Sequence, residues 1–201
     1  MLLGFTFALA VQRYETRRTL VVEEANAIGT TYLRAELLDE PQRGDSLAAL
    51  ERYADEAIAF AHEKPGTAGF DDASARMEAT QNELWTLAGD AMEADPSGNA
   101  TRLYVESLNE TIDAHSSRAA SMNNRVPSSV MWLLIVGSAV ALAALSLYLT
   151  LLGRGIVTSV VAAAVLLVTL FVSFDLDRPT RGLITVPVTA LEDARDAMTA
   201  D

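Results

Sequence analysis

Two long uncharged stretches near the C-terminal end of the chain constrain its fold more than any other feature. No charged residue occurs in the 28 residues between Arg125 and Arg154, or in the 20 residues between Arg154 and Asp175. A hydrocarbon core of ~30 Å needs ~20 helical residues, so each stretch is long enough to cross a bilayer. We therefore predict a transmembrane helical hairpin over 128–174, with its turn at 153–155. The alternative, a hairpin buried in a soluble core, would need more protein around it than this chain supplies.

The first twelve residues are also uncharged and mostly apolar. At ~1.5 Å per residue they are too short to span a bilayer. We interpret residues 1–12 as the end of a first membrane helix whose beginning lies outside this sequence. A signal peptide and a short interfacial anchor are the alternatives, and the absence of preceding basic residues disfavours the signal peptide.

The region 13–127 is polar and acidic, with 11 basic and 21 acidic side chains. Apolar residues recur there at three- and four-residue steps, which is the pattern of helices with one buried face. Proline and glycine divide the region into four predicted helices, at about 13–38, 42–63, 71–93 and 98–124. The tail, 175–201, adds one brief amphipathic helix at 191–198. The sequence therefore predicts an all-α fold, with membrane helices and a helical bundle.

The charge distribution predicts how the chain is oriented. Arginines flank all three apolar stretches on one side, and such residues are retained in the cytoplasm. Regions 13–127 and 175–201 are then cytoplasmic in a multi-pass protein of the cell membrane, and only Arg154 departs from the rule. The net charge of −12 argues against nucleic acid as a partner, because phosphate binding needs clustered positive charge. The partner that the sequence predicts is the lipid bilayer.

No residue pattern in the chain predicts catalysis, a cofactor or a metal. There is no Walker loop, Rossmann fingerprint, H-E-x-x-H or G-x-S-x-G motif, and no cysteine. His62 and His115 have no partners at metal-ligand spacing. His115 lies on the apolar stripe of the fourth predicted helix, so we interpret it as a core or interface histidine.

Polar residues in two predicted helices form candidate functional stripes. Glu23, Asn26, Thr30 and Arg34 recur along one stripe of the first helix. Such a stripe is either a solvated face or a polar seam between helices, between subunits or along a water-filled vestibule. A second polar stripe lies in the fourth helix. The candidate seam residues are Glu23, Glu24, Asn26, Thr30, Arg34, Asn109, Asp113 and Arg118.

A third group, Asp175, Asp177 and Arg178, lies where the last membrane helix ends. A carboxylate at this depth is costly unless it reaches water or a partner. Pro179 pushes Arg178 out of the helical conformation, so we predict that the helix stops by about Asp177. We further predict that these residues form a clasp, in which an aspartate pairs with Arg18, Arg118 or Arg125. A plain helix stop with charged interface anchors is the alternative.

Three ordered motifs carry a resemblance to a known family: E-A-N-A-I-G-T-x-Y-L-R, L-N-E-x-I-D-x-x-x-x-R-x-x-x-x-x-x-R-V-P and, after the last apolar stretch, D-x-D-R-P-x-R-G. Together they resemble the bestrophin-like family of prokaryotic membrane proteins, whose function is unassigned. Its name implies distant similarity to bestrophins, which are pentameric ion channels. The positions that match the family motifs are Glu24, Asn26, Gly29, Arg34, Asn109, Asp113, Arg118, Asp177, Pro179 and Gly182.

The resemblance implies an integral membrane protein and, at one further remove, a homo-oligomeric ion channel. The two complete apolar stretches contain no acidic, basic or histidine residue, which weakens the case for a pore between them. A pore lined by the N-terminal helix stays open, and acidic charge near its mouth would favour cations. The alternative function is a membrane-anchored scaffold or sensor whose acidic helices bind a protein partner.

Overall fold

The computed structural model describes residues 2–123, 128–151, 156–176 and 184–200. Over these residues the chain forms seven α-helices joined by short connections. They are α1 (Leu2–Ala35), α2 (Gln42–His62), α3 (Ala68–Ala94), α4 (Asn99–Asn123), α5 (Ser128–Leu151), α6 (Ile156–Leu176) and α7 (Thr189–Met198). The predicted all-α fold is confirmed.

Helices α5 and α6 are the two helices in the described residues that are long and apolar enough to cross a membrane. Most of their large apolar side chains are exposed in the single chain, as Leu147 and Leu167 show at 64% each. A helix that is apolar on all sides is stable only where lipid or protein surrounds it. Together with 1–15 and the residues up to 185, these helices form one of two compact units of the chain.

The second compact unit, 16–123 with 186–201, is a helical bundle built on the predicted apolar stripes. Its core contains fully buried side chains from several helices, among them Leu50, Phe60, Leu84 and Leu108. Helix α7 belongs to this bundle, because its Leu191 and Met198 are buried in the same core. Two interactions hold α7 in place. Arg195 binds both carboxylate oxygens of Asp55 on α2, at 2.7 and 3.3 Å, and the Tyr32 hydroxyl donates to the Met198 carbonyl at 3.0 Å.

The helix boundaries follow local sequence signals, but α1 ends at Ala35, about three residues before its predicted end, and the start of α3 also differs. Helix α3 begins at Ala68, three residues before the predicted start at Asp71. Gly66 adopts φ +79°, a left-handed turn conformation that favours glycine, and Thr67 then caps the helix by accepting a hydrogen bond from the Phe70 amide. The cap at Thr67 determines where the helix begins, and Asp71 lies in its first turn.

Candidate functional site

A charged pair lies fully buried where α1 meets α4. The side chain of Glu24, on α1, is completely inaccessible to solvent, and that of Arg118, on α4, is 3% exposed. Arg118 Nε pairs with Glu24 Oε2, and Arg118 Nη2 lies 3.4 Å from Glu24 Oε1. The guanidinium therefore faces both carboxylate oxygens, an arrangement for which arginine is better suited than lysine. Each charge compensates the other in a site that water does not reach.

His115, one helical turn before Arg118, binds the same carboxylate. Its Nδ1 lies 2.8 Å from Glu24 Oε1. An ionised carboxylate can only accept hydrogen bonds, so the Nδ1–H of His115 is the donor. The imidazole packs against two aromatic rings of α2, with centroid distances of 5.1 Å to Phe60 and 6.3 Å to Tyr53. His115 is thus a core histidine that is hydrogen-bonded within the bundle, as the sequence predicts.

Residues of α2 also contact the Arg118 guanidinium. Arg118 Nη2 donates to the Ala57 carbonyl at 3.1 Å, and its guanidinium carbon lies 5.2 Å from the centroid of the Phe60 ring. Burial raises the pKa of Tyr53, and the nearby Glu24 carboxylate raises it further. The negative charge of Glu24 on α1 therefore acts on the Tyr53 hydroxyl of α2. We call Glu24, His115 and Arg118 the buried charged cluster, and it joins three helices.

Two further polar contacts between α1 and α4 lie one heptad away on either side of Glu24. Arg17 Nε donates to the Ser121 carbonyl at 3.3 Å, and the hydroxyl oxygens of Thr31 and Thr111 lie 2.8 Å apart. Positions 17, 24 and 31 are seven residues apart, so they fall on nearly the same side of the helix. A polar seam therefore runs along the α1–α4 contact, with α4 antiparallel to α1.

The structure distributes the predicted seam residues over two environments. Glu24 and Arg118 meet in the buried charged cluster, and the half-buried Arg34 donates to the Leu103 carbonyl at 2.9 Å. The remaining five lie on exposed surfaces of α1 and α4, and among them Asn109 donates to Asp113 across one turn at 3.2 Å. These exposed residues are Glu23, Asn26, Thr30, Asn109 and Asp113. They line no seam within the chain, and their role between subunits or along a water-filled path stays a prediction.

Sequence reasoning missed Arg17, Thr31 and Thr111, and it did not connect His115 with Glu24. The signal that could have found them is the heptad spacing of Arg17, Glu24 and Thr31. Each of these polar residues interrupts the apolar face of α1 that also carries Val21 and Ile28, which are both buried.

The predicted clasp is described only in part. Asp175, at the end of α6, is buried, and its Oδ2 accepts a hydrogen bond from the Ile184 amide at 3.0 Å. This bond joins the end of α6 to the chain nine residues later. Asp177, Arg178 and the candidate partner Arg125 lie outside the described residues, so the pairing of an aspartate with an arginine stays a prediction.

The buried charged cluster supplies one carboxylate and one imidazole, too few ligands for a metal site. Across the residues that the structure describes, there is no group of three or more acidic or histidine side chains that could hold a metal ion. What the cluster does by its geometry is hold α1, α2 and α4 in one register.

Comparison with known proteins identifies the family. A family model described as a bestrophin-like domain matches residues 1–191, which is most of the chain. Neither the curated proteins nor the solved structures contain a significant match. The family model covers all three sequence motifs, the buried charged cluster and both membrane-length helices. The chain therefore belongs to the bestrophin-like family of membrane proteins.

Proposed function

We propose that this protein is a subunit of a non-enzymatic, homo-oligomeric ion channel in which α1 lines the ion path. The observation that carries the proposal is the exposed polar stripe of α1, formed by Glu23, Asn26 and Thr30. An ion path needs polar groups that face its axis, and in the orientation proposed below these three residues line the cytoplasmic part of the path.

Helices α5 and α6 contain few side chains that could interact with an ion. Between Ser128 and Ser173 the described residues of these helices include no acidic, basic or histidine side chain. Three hydroxyls in these helices, those of Thr150, Thr169 and Ser173, donate to carbonyls one turn earlier in the same helix, at 2.7–2.8 Å. Groups satisfied in this way are compatible with a lipid environment. The hairpin is therefore suited to face lipid, which leaves α1 for the path.

The outer surface of α1 also carries apolar residues beside the polar stripe. Val22 and Leu33 are exposed by 42% and 63% in the single chain. Apolar side chains on one flank and polar side chains on the other suit a helix that contacts a neighbouring copy and water at once. This arrangement supports an assembly of identical chains around α1.

The orientation that we propose places 13–127 and 175–201 in the cytoplasm, supported by the arginines that flank the apolar stretches. The chain contains no cysteine, so single cysteines report on topology without background. In whole cells, a cysteine at Ile156, exposed at the start of α6, should react with an impermeant thiol reagent. A cysteine at Ser97, in the exposed turn between α3 and α4, should react only after lysis. The reverse pattern would overturn the orientation.

The channel itself is tested by reconstitution of the purified full-length protein. We expect a closed oligomer that conducts ions, with a preference for cations because Glu23 faces the path. Replacing Glu23 by glutamine removes one carboxylate per subunit and should shift the reversal potential in a salt gradient toward anions. The matched control is Glu78→Gln, which removes an exposed carboxylate from α3 and should leave the reversal potential unchanged.

Two results would count against the channel. A monomer without conductance would favour a membrane-anchored scaffold or sensor whose acidic bundle binds a protein partner. A conducting oligomer in which Glu23→Gln and Glu78→Gln behave alike would remove α1 from the ion path.

A further inference from the structure

The buried charged cluster constrains the rotation of α1 more strongly than the apolar contacts around it. Apolar side chains such as Val21 and Ile28 tolerate a change of angle, since burial is not directional. The Glu24 carboxylate is different, because it is bound by Arg118 and His115 through hydrogen bonds that require defined angles. Turning α1 would separate these groups and leave buried charges uncompensated.

The cluster is itself anchored to the rest of the bundle. Arg118 is held by the Ala57 carbonyl and the Phe60 ring of α2, and the His115 ring packs against Phe60 and Tyr53. The carboxylate of Glu24 therefore meets groups whose positions are fixed by two other helices. The neighbouring polar contacts are uncharged at Thr31–Thr111, and the guanidinium of Arg17 binds a backbone carbonyl at 3.3 Å. Glu24 is thus a point of α1 whose charge is bound by groups that α2 and α4 hold in place.

Holding Glu24 inward determines what the opposite side of α1 presents. Successive residues of an α-helix are rotated by about 100°, so Glu23 lies about 100°, Thr30 about 120° and Asn26 about 160° from Glu24 around the axis. The three exposed polar residues therefore face outward because Glu24 faces inward. If α1 were rotated by about 100°, the residues adjacent to Glu23, Asn26 and Thr30 would face outward in their place.

We propose that Glu24 is a positioning residue, which through Arg118 and His115 sets the rotation of α1 and thereby selects the side chains that α1 presents to the ion path. The selection of path-lining residues rests on the proposed channel function. The role of Glu24 in setting the rotation of α1 does not depend on the channel function, because it involves contacts within the bundle only.

The experiment uses the full-length protein in lipid nanodiscs, with single cysteines that react with a maleimide. Position 30 is exposed, position 28 is buried on the inner side of α1, and position 50 is buried in α2. Each cysteine is placed in the wild-type chain, in Glu24→Gln and in Glu24→Asp. Glu23→Gln is the matched control, since it neutralises the adjacent carboxylate, which is exposed.

We expect Glu24→Gln to raise the labelling rate at position 28 and lower it at position 30, while position 50 stays protected. Opposite changes at 28 and 30 indicate a rotation, which local unfolding cannot produce. Glu24→Asp keeps the charge and should restore part of the wild-type pattern, and Glu23→Gln should leave it unchanged.

Other outcomes decide against the proposal. Unchanged rates at 28 and 30 would show that Glu24 does not set the rotation. Faster labelling at 28, 30 and 50 together would show that it only stabilises the bundle. Slow labelling of position 30 in the wild-type chain would instead contradict the proposed path along this stripe. In that case positions 28 and 50 still test the rotation, so failure of the channel and failure of the positioning role are distinguishable.

Discussion

Truncation of Arg118 to alanine is expected to lower the free energy of unfolding by about 3–5 kcal/mol, the cost of removing one partner from a buried ion pair. The Glu24 carboxylate would remain without solvent access, with only the hydrogen bond from His115 to compensate it. The Ala57 carbonyl would also lose its side-chain donor. Thermal or denaturant unfolding of the detergent-solubilised protein, followed by circular dichroism, measures the loss.

The chain offers a matched control on the same helix. Arg102 pairs with Glu106 one turn away at 3.3 Å, and both side chains are more than half exposed. Exposed pairs of this kind contribute ~0–1 kcal/mol, so Arg102→Ala should cost little. Replacing Glu24 and Arg118 together by apolar residues should cost less than Arg118→Ala, because no buried charge is then left unpaired. Equal losses for Arg118→Ala and Arg102→Ala would mean that water reaches Glu24.

The candidate seam residues include both members of the buried ion pair, Glu24 and Arg118, but the spacing argument alone selects a different stripe of α1. Glu23, Asn26, Thr30 and Arg34 share a stripe by spacing, and three of them are exposed. Glu24, one residue after Glu23, lies instead on the buried side of the helix. The spacing of apolar residues identifies the buried side of a helix. A charged residue on that side interrupts the spacing, and its burial is predictable only when its partner is known. That partner, Arg118, is 94 residues away in the sequence, and no local signal connects the two.

Helix positions were easier to predict than contacts, for a physical reason. Apolar spacing, proline and capping residues act within a few positions, and they indicated the bundle helices and the two membrane-length helices. The role of α7 was less evident. Its amphipathic pattern predicted the helix, but the packing of Leu191 and Met198 into the bundle core depends on surfaces contributed by distant residues. Without those surfaces, a short helix after the two membrane-length helices is predicted to be part of a separate tail.

An arginine in the middle of α6 is expected to prevent this helix from entering the membrane. Leu167 lies near the centre of Ile156–Leu176 and is 64% exposed in the single chain. In a soluble protein, a substitution at so exposed a position would change stability by ~0.5 kcal/mol or less. In a transmembrane helix, arginine near the centre costs about 2.5–3.5 kcal/mol of insertion free energy. Leu167→Arg therefore distinguishes a lipid-facing helix from one exposed to water.

The matched control is Leu33→Arg on α1, because Leu33 is 63% exposed but lies in the bundle, outside both membrane-length helices. Membrane insertion is measured by resistance to alkaline extraction and by a glycosylation reporter placed after α6. We expect Leu167→Arg to leave the reporter on the wrong side of the membrane in a large fraction of chains, whereas Leu33→Arg should insert like the wild type. Normal insertion of Leu167→Arg would mean that this face of α6 contacts water or a polar partner, and α6 would then have to be reconsidered as a lining of the ion path.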